Sequence, residues 1–195
     1  MKRSIKMVPF LILLFLLIFT VPAPANAASQ KAQVRKTVNT FFRYAKKMKV
    51  KKMEKCFVKQ GQKIFSDPKK FYRMIRPYTK KMTWKIKKIR VKGNRAAVKI
   101  KVNFQSLYLS YWNSLLQTYR YANVELDEPP KNKKYMLNAL KQEIQKNGAN
   151  KVHTSIRIRL RKVNGKWKIA QPTERLINIL YCDYIYTVQD FMGTE

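Results

Sequence analysis

Residues 95–104 read RAAVKIKVNF, and residues 151–163 read KVHTSIRIRLRKV. In the first run Ala96, Val98, Ile100, Val102 and Phe104 alternate with Arg95, Ala97, Lys99, Lys101 and Asn103. In the second, Val152, Thr154, Ile156, Ile158 and Leu160 alternate with His153, Ser155, Arg157, Arg159 and Arg161. A period of two sends successive side chains to opposite faces of a strand. Such strands are half-buried and antiparallel, with one face covered and the other in water. A slip of one residue would carry the arginines into the core, so the register is tightly specified.

Two hairpins follow from this pattern. Met82, Trp84 and Ile86 alternate with Thr83, Lys85 and Lys87. The adjacent Lys87-Lys88 pair shifts the phase and predicts a bulge, after which Ile89 and Val91 return to the inner face. Gly93-Asn94 marks the turn into the 95–104 run. Asn164-Gly165 marks a second hairpin turn, with Trp167 and Ile169 inward and Lys166 and Lys168 outward.

The remaining segments repeat at helical spacing. Val34, Val38, Phe41, Phe42, Ala45 and Met48 form one face. Met53, Cys56 and Phe57 belong to a second helical piece. Ser66-Asp67-Pro68 is a helix-start signal before Phe71, Met74, Ile75 and Tyr78. A helical insertion of about 106–150 separates the hairpins. Tyr108, Tyr111, Trp112, Leu115 and Tyr119 make its first helix, Pro129-Pro130 a break, and Met136, Leu137, Leu140 and Ile144 its second, ending near Gly148. A C-terminal helix is expected over about 173–192, with Leu176, Leu180, Tyr184, Val188 and Phe191 on one stripe. The fold class is therefore α+β: N-terminal helices packed on a bent antiparallel sheet of two hairpins, with a helical insertion and a C-terminal helix.

The first residues carry a compartment signal. Lys2, Arg3 and Lys6 precede a 14-residue stretch, Val8 to Val21, that is apolar apart from Pro9 and Thr20. Pro22 and Pro24 are expected to break any helix, and Ala25-Asn26-Ala27 fits a cleavage site. This is the pattern of a secretory signal peptide over 1–27, with cleavage after Ala27. The alternative, a membrane anchor, needs about 20 apolar residues. Cleavage removes three of the 43 basic residues and none of the ten acids, leaving a formal charge of +30 on a single 168-residue domain, 28–195. Such an excess repels itself and favours polyanionic partners. Export also permits a disulfide between Cys56 and Cys182, against the alternative of two buried free thiols.

The segments VRKTVNTFFRYAKKM, IRVKGNRAAVKIKV and RKVNGKWKI, taken in that order, resemble the nuclear transport factor 2-like, or cystatin-like, α+β cone. The chain is similar in particular to small exported bacterial domains of unknown function with that fold. The resemblance covers roughly residues 30 to 172, and the helical insertion and C-terminal helix extend it. It implies a cone whose interior, in enzymes of this fold, uses Asp, His or Tyr for proton transfer.

No catalytic constellation accompanies it. His153 is the only histidine and belongs to the outward set. None of the ten acids lies at an inward strand position, and Glu125, Asp127 and Glu128 cluster beside Pro129-Pro130 as a counter-charge patch. No metal-ligand spacing, phosphate-binding glycine loop or nucleophile elbow is present, and no cofactor is expected.

What remains is charge. The outward strand positions are Lys85, Lys87, Lys88, Arg90, Lys92, Arg95, Lys99, Lys101, Arg157, Arg159, Arg161, Lys166 and Lys168, with no acid among them. Like charges opposed on neighbouring strands are destabilising, so stability does not account for such a face. The expected partner is an extracellular polyanion: an anionic cell-wall polymer or an acidic membrane surface, with nucleic acid least favoured in an exported chain. Two alternatives stand beside this non-enzymatic binding role. One is a small-ligand binder or enzyme using the cone interior, and the other is a globular domain whose basicity is only compositional.

Overall fold

A computed structural model of the chain describes residues 23–58, 69–122 and 133–184. The hydrophobic stretch before Ala23, the Ser66-Asp67-Pro68 signal, the Glu125–Glu128 cluster with Pro129-Pro130, and Val188 and Phe191 lie outside the described residues. The elements in chain order are helices α1 (Ala23–Lys46), α2 (Val50–Glu54) and α3 (Lys69–Thr79) and strands β1 (Thr83–Lys92) and β2 (Arg95–Ser106). Helices α4 (Tyr108–Ala122) and α5 (Lys133–Asn147), strands β3 (Asn150–Val163) and β4 (Lys166–Ile169), and helix α6 (Glu174–Leu180) follow. The fold is α+β, as the alternation and helical spacings predict.

The four strands form one antiparallel sheet in the order β1-β2-β3-β4. The bulge falls where the paired lysines predict it: Ile86 opposes Ile100 and Lys88 opposes Lys99, leaving Lys87 as the extra residue. Without it Ile89 and Val91 would face water. Gly93 takes a φ of +54°, and Asn164 and Gly165 both take positive φ, the type I′ geometry that matches strand twist. The Gly93-Asn94 turn is held to β3 by the Lys162 amide, which donates to Asn94 O at 2.8 Å.

The inner face is the core. Val98, Ile100, Val102, Ile158, Leu160, Trp167 and Ile169 are buried against Val34, Val38, Phe41, Phe42 and Ala45 of α1 and Phe71 and Ile75 of α3. Phe42 stacks on Trp84 at 5.3 Å, and the Trp84 indole N–H donates to Asn39 Oδ1 at 2.9 Å, fixing α1 on β1. After Glu54 the chain reaches the free side of β4. Phe57 bridges Ile169 in parallel, the Val58 amide donates to Ile169 O, and the Ile169 amide donates to Cys56 O.

Several expectations need correction. Pro24 does not break a helix; it sits in the first turn of α1, where a missing N–H costs nothing. Met48 lies beyond α1 in the left-handed region at φ +47°, closing the helix with a Schellman pair, Lys49 N to Tyr44 O and Met48 N to Ala45 O. Tyr108 is exposed, while Tyr111, Leu115 and Tyr119 are buried. Helix α6 ends at Leu180, where Cys182 and Asp183 both turn left-handed (φ +56° and +69°), and helical backbone resumes at Tyr184, the last described residue. That turn is fastened to the insertion: the Leu107 amide donates to Cys182 O and the Tyr111 hydroxyl to Tyr181 O, both at 2.9 Å. Cys56 and Cys182 are free thiols rather than a disulfide. Cys56 Sγ is turned back toward Lys52 O, and Cys182 is wholly buried, with its thiol pushed up by that burial.

Truncating Trp167 to Ala should cost about 3–5 kcal/mol, as large core truncations do, whereas Lys168→Ala should change stability by less than about 0.5 kcal/mol; urea midpoints measure both. Asp183 gives a pH test. Burial raises its carboxyl above the ordinary value, against a Ser106 hydrogen bond and the Arg175 charge, which lower it. With the folded value above the unfolded one, its contribution is fully favourable below about pH 4 and is lost as pH rises through the folded value. The stability of Asp183→Asn relative to wild type should therefore increase with pH across that window, measured by urea melts at successive pH values.

Candidate basic sheet face

The register converts the outward residues into rows that cross the sheet. Lys92, Arg95, Arg161 and Lys168 make one row across all four strands. Arg90, Ala97 and Arg159 make the next, continued by Ala170, whose amide donates to Arg159 O at 2.9 Å, and by Val58 beside it. Lys88, Lys99 and Arg157 form a third, flanked by the bulged Lys87, and Lys85, Lys101 and Ser155 a fourth. Beyond these the face turns neutral: Asn103 Nδ2 donates to Thr83 Oγ1 at 3.1 Å, and its Oδ1 meets His153 Nδ1 at 2.8 Å. His153 is thus outward, as its position in the alternation predicts.

Every predicted face residue lies on this surface. Lys85, Lys87, Lys88, Arg90, Lys99, Lys101, Arg157, Arg159 and Arg161 are exposed; Lys168 is half-buried beside Cys56, whose thiol its charge draws down against the upward push of burial. The strands contain neither Asp nor Glu, so no acid interrupts the rows from within the sheet. Three opposed pairs are doubly cationic between β1 and β2 (Lys85–Lys101, Lys88–Lys99, Lys92–Arg95) and two between β2 and β3 (Arg95–Arg161, Lys99–Arg157).

Magnitudes explain how the sheet tolerates this. An opposed like pair costs a few tenths to about 1 kcal/mol in water, whereas each buried Val, Ile or Leu on the reverse face contributes about 1.5–3 kcal/mol. The same strands carry both, and the core wins. Repulsion remains as a bias toward any anion able to sit among the cations.

The rows also create relief. The alanines at 97 and 170 interrupt the long side chains, and over them lies a depression of about 500 Å³. Arg90, Lys92, Arg95, Arg159 and Arg161 line it, with Val58 and Ala170 at the β4 side and Val91, Ala96 and Leu160 of the intervening inward row completing the lining. Parity sets it on the outer face, since Phe57 and Ile169, the neighbours of Val58 and Ala170, are buried in the core. Ala97 and Ala170 escape a search for charged residues. The signal for Ala97 is a small residue at an outward position of β2; Ala170 and Val58 join it only through the sheet pairing.

Elsewhere the polar interior is structural. Glu143 is buried between α4 and α5, where Gln117 Nε2 donates to Oε1 at 2.6 Å and Asn147 Nδ2 donates to Oε2. Ser110, also buried, donates to Glu143 O and Gly148 O, each at 3.2 Å. Among the described residues no three His, Cys, Asp or Glu side chains cluster as a metal site, and no helix is long and apolar enough to cross a membrane. No family model, curated protein or solved structure matches the chain.

Because opposed cations strain the folded sheet, salt should stabilise it. Raising NaCl from about 0.01 to 1 M shortens the Debye length from about 30 to 3 Å. The urea midpoint should rise over this range, and rise less in a variant carrying Gln at Lys88, Lys99 and Arg157.

Proposed function

We propose that this is an exported, non-enzymatic domain whose outer sheet face binds an extracellular polyanion, in the first instance an anionic cell-wall polymer. The observation that carries this is the set of cationic rows with no acid in the strands. Mixed signs would serve solubility better. Long charged side chains on a rigid sheet present a field that polyanions can enter with release of their counterions. Interfacial membrane binders combine charge with apolar side chains that enter the lipid. Among the described residues the exposed large apolar side chains, Tyr108 and Leu109, instead sit at the start of α4, beyond the neutral end of the sheet. A polymer is therefore favoured over a membrane surface. Export through the 1–27 signal peptide and the likeness to the nuclear transport factor 2-like cone belong to the same proposal.

The test is retention on purified anionic wall polymer across a salt series. Wild type should bind at low salt and elute as salt rises, with apparent affinity falling log-linearly, as for other condensed polyanions. Changing Lys99, Lys101, Arg157, Arg159 and Arg161 together to Gln should reduce retention and flatten the slope. The helical control, Lys46, Lys47, Lys51, Lys52 and Lys55 to Gln, removes the same charge and should retain binding. Equal loss in both variants would make net charge alone responsible, and no retention of wild type at low salt would refute the function.

A further inference from the structure

We infer that the depression beside Ala97 and Ala170 is a binding site for a linear phosphodiester chain without bases. This rests on the polyanion function proposed above and adds a site and a ligand chemistry to it. Charge alone would be spread over the whole face, but the shape is not. Arginine and alanine alternate in the row Arg90, Ala97, Arg159 and Ala170, and Lys92, Arg95 and Arg161 of the neighbouring row wall one side. Arg90 and Arg159 stand in this row two strands apart, about 10 Å at ordinary strand spacing. Arg95 and Arg161 stand two residues further along β2 and β3, about 7 Å away. Four arginines, Arg90, Arg95, Arg159 and Arg161, therefore line the recess together with the small apolar side chains of Ala97 and Ala170.

The basic residue type is biased as well. Around the recess four of the five cations are arginine, with Lys92 the fifth, whereas toward the neutral end Lys85, Lys87, Lys88, Lys99 and Lys101 accompany the single Arg157. Guanidinium is a planar fork that donates two parallel hydrogen bonds to a pair of oxygens; an ammonium acts as a point charge. Carboxylate polymers carry planar groups pendant from the chain, each matched by one fork. A phosphodiester is tetrahedral and lies within the chain, so forks from two sides can meet its oxygens once the chain itself lies in the recess. The small side chains at 97 and 170 make room for that chain. A lipid surface is planar and would touch only the tips of the side chains. Bases would need aromatic faces to stack on, and Trp84, Phe104 and Trp167 all point to the core side.

The test separates shape from charge. Ala97→Leu fills the recess and keeps every charge, on an outward strand position that tolerates Leu. Ala97→Ser keeps it open. Arg90→Lys with Arg159→Lys keeps charge and removes two forks. Each variant is checked for an unchanged urea midpoint, then titrated at fixed salt with poly(glycerol phosphate), polyglutamate of equal charge, single-stranded DNA and phosphatidylglycerol vesicles. Wild type should prefer poly(glycerol phosphate) to each of the others. Ala97→Leu and the double Lys variant should lose on the order of tenfold in affinity for it, with binding to polyglutamate unchanged and Ala97→Ser like wild type. If Ala97→Leu and the double Lys variant bind poly(glycerol phosphate) as wild type does, the recess is not a site, while loss in the five-Gln sheet variant would still uphold the polyanion function. Preference for DNA, vesicles or polyglutamate would overturn the phosphodiester assignment. Absence of binding to every probe would overturn both.

Discussion

The pairing of β2 with β3 is the constraint on which the rest of the structure depends. Arg95 opposes Arg161, and the register runs without a break to Ser106 opposite Asn150. Parity along this ladder decides which side chains are core and which meet water. It turns Val98, Ile100, Ile156 and Ile158 toward α1 and α3, and it stacks Lys99 against Arg157 on the other side. Core and charged face are two consequences of one register. Neither can be altered by a slip without exchanging both.

The helical insertion leaves that ladder intact. The α4–α5 pair emerges after Ser106 and returns at Asn150, the two residues that end the ladder, so it extends the fold without parting the strands. Its attachment to the body is made by specific polar contacts as well as packing. Tyr111 reaches Tyr181 O, Leu107 reaches Cys182 O, and Phe71, Tyr111, Tyr181 and Tyr184 meet ring to ring. The left-handed turn at Cys182 and Asp183 brings these groups back to α4.

Much of this was legible from residues alone, and the remainder was not for identifiable reasons. Period-two alternation is a local signal, so the inward and outward sets of β1 to β4 could be read strand by strand, and the doubled lysine betrayed the bulge. The end of α6 could not, because its left-handed residues are Cys182 and Asp183 rather than glycine. Met48 hid the end of α1 in the same way, continuing the apolar spacing past the helix. The rows, and the recess within them, required alignment of strands separated by the whole insertion. The contribution of Ala170 and Val58 required a bridge between segments more than a hundred residues apart. Charge is visible in a sequence; the gap between charges is visible only in register.

The bridge from Phe57 to Ile169 has a bearing on how these molecules meet one another. An unpaired strand edge is a template on which a second sheet can grow. Here the β4 edge is occupied by the chain's own segment around Phe57, which leaves β1 as the outer strand on the other side. On β1 the bulge at Lys87 breaks the regular spacing of donors and acceptors, and Lys85, Lys87 and Lys88 confront any approaching copy with like charge. Strand-upon-strand addition of a second copy is thereby opposed at both of these edges, by a covering segment at β4 and by irregular spacing and charge at β1.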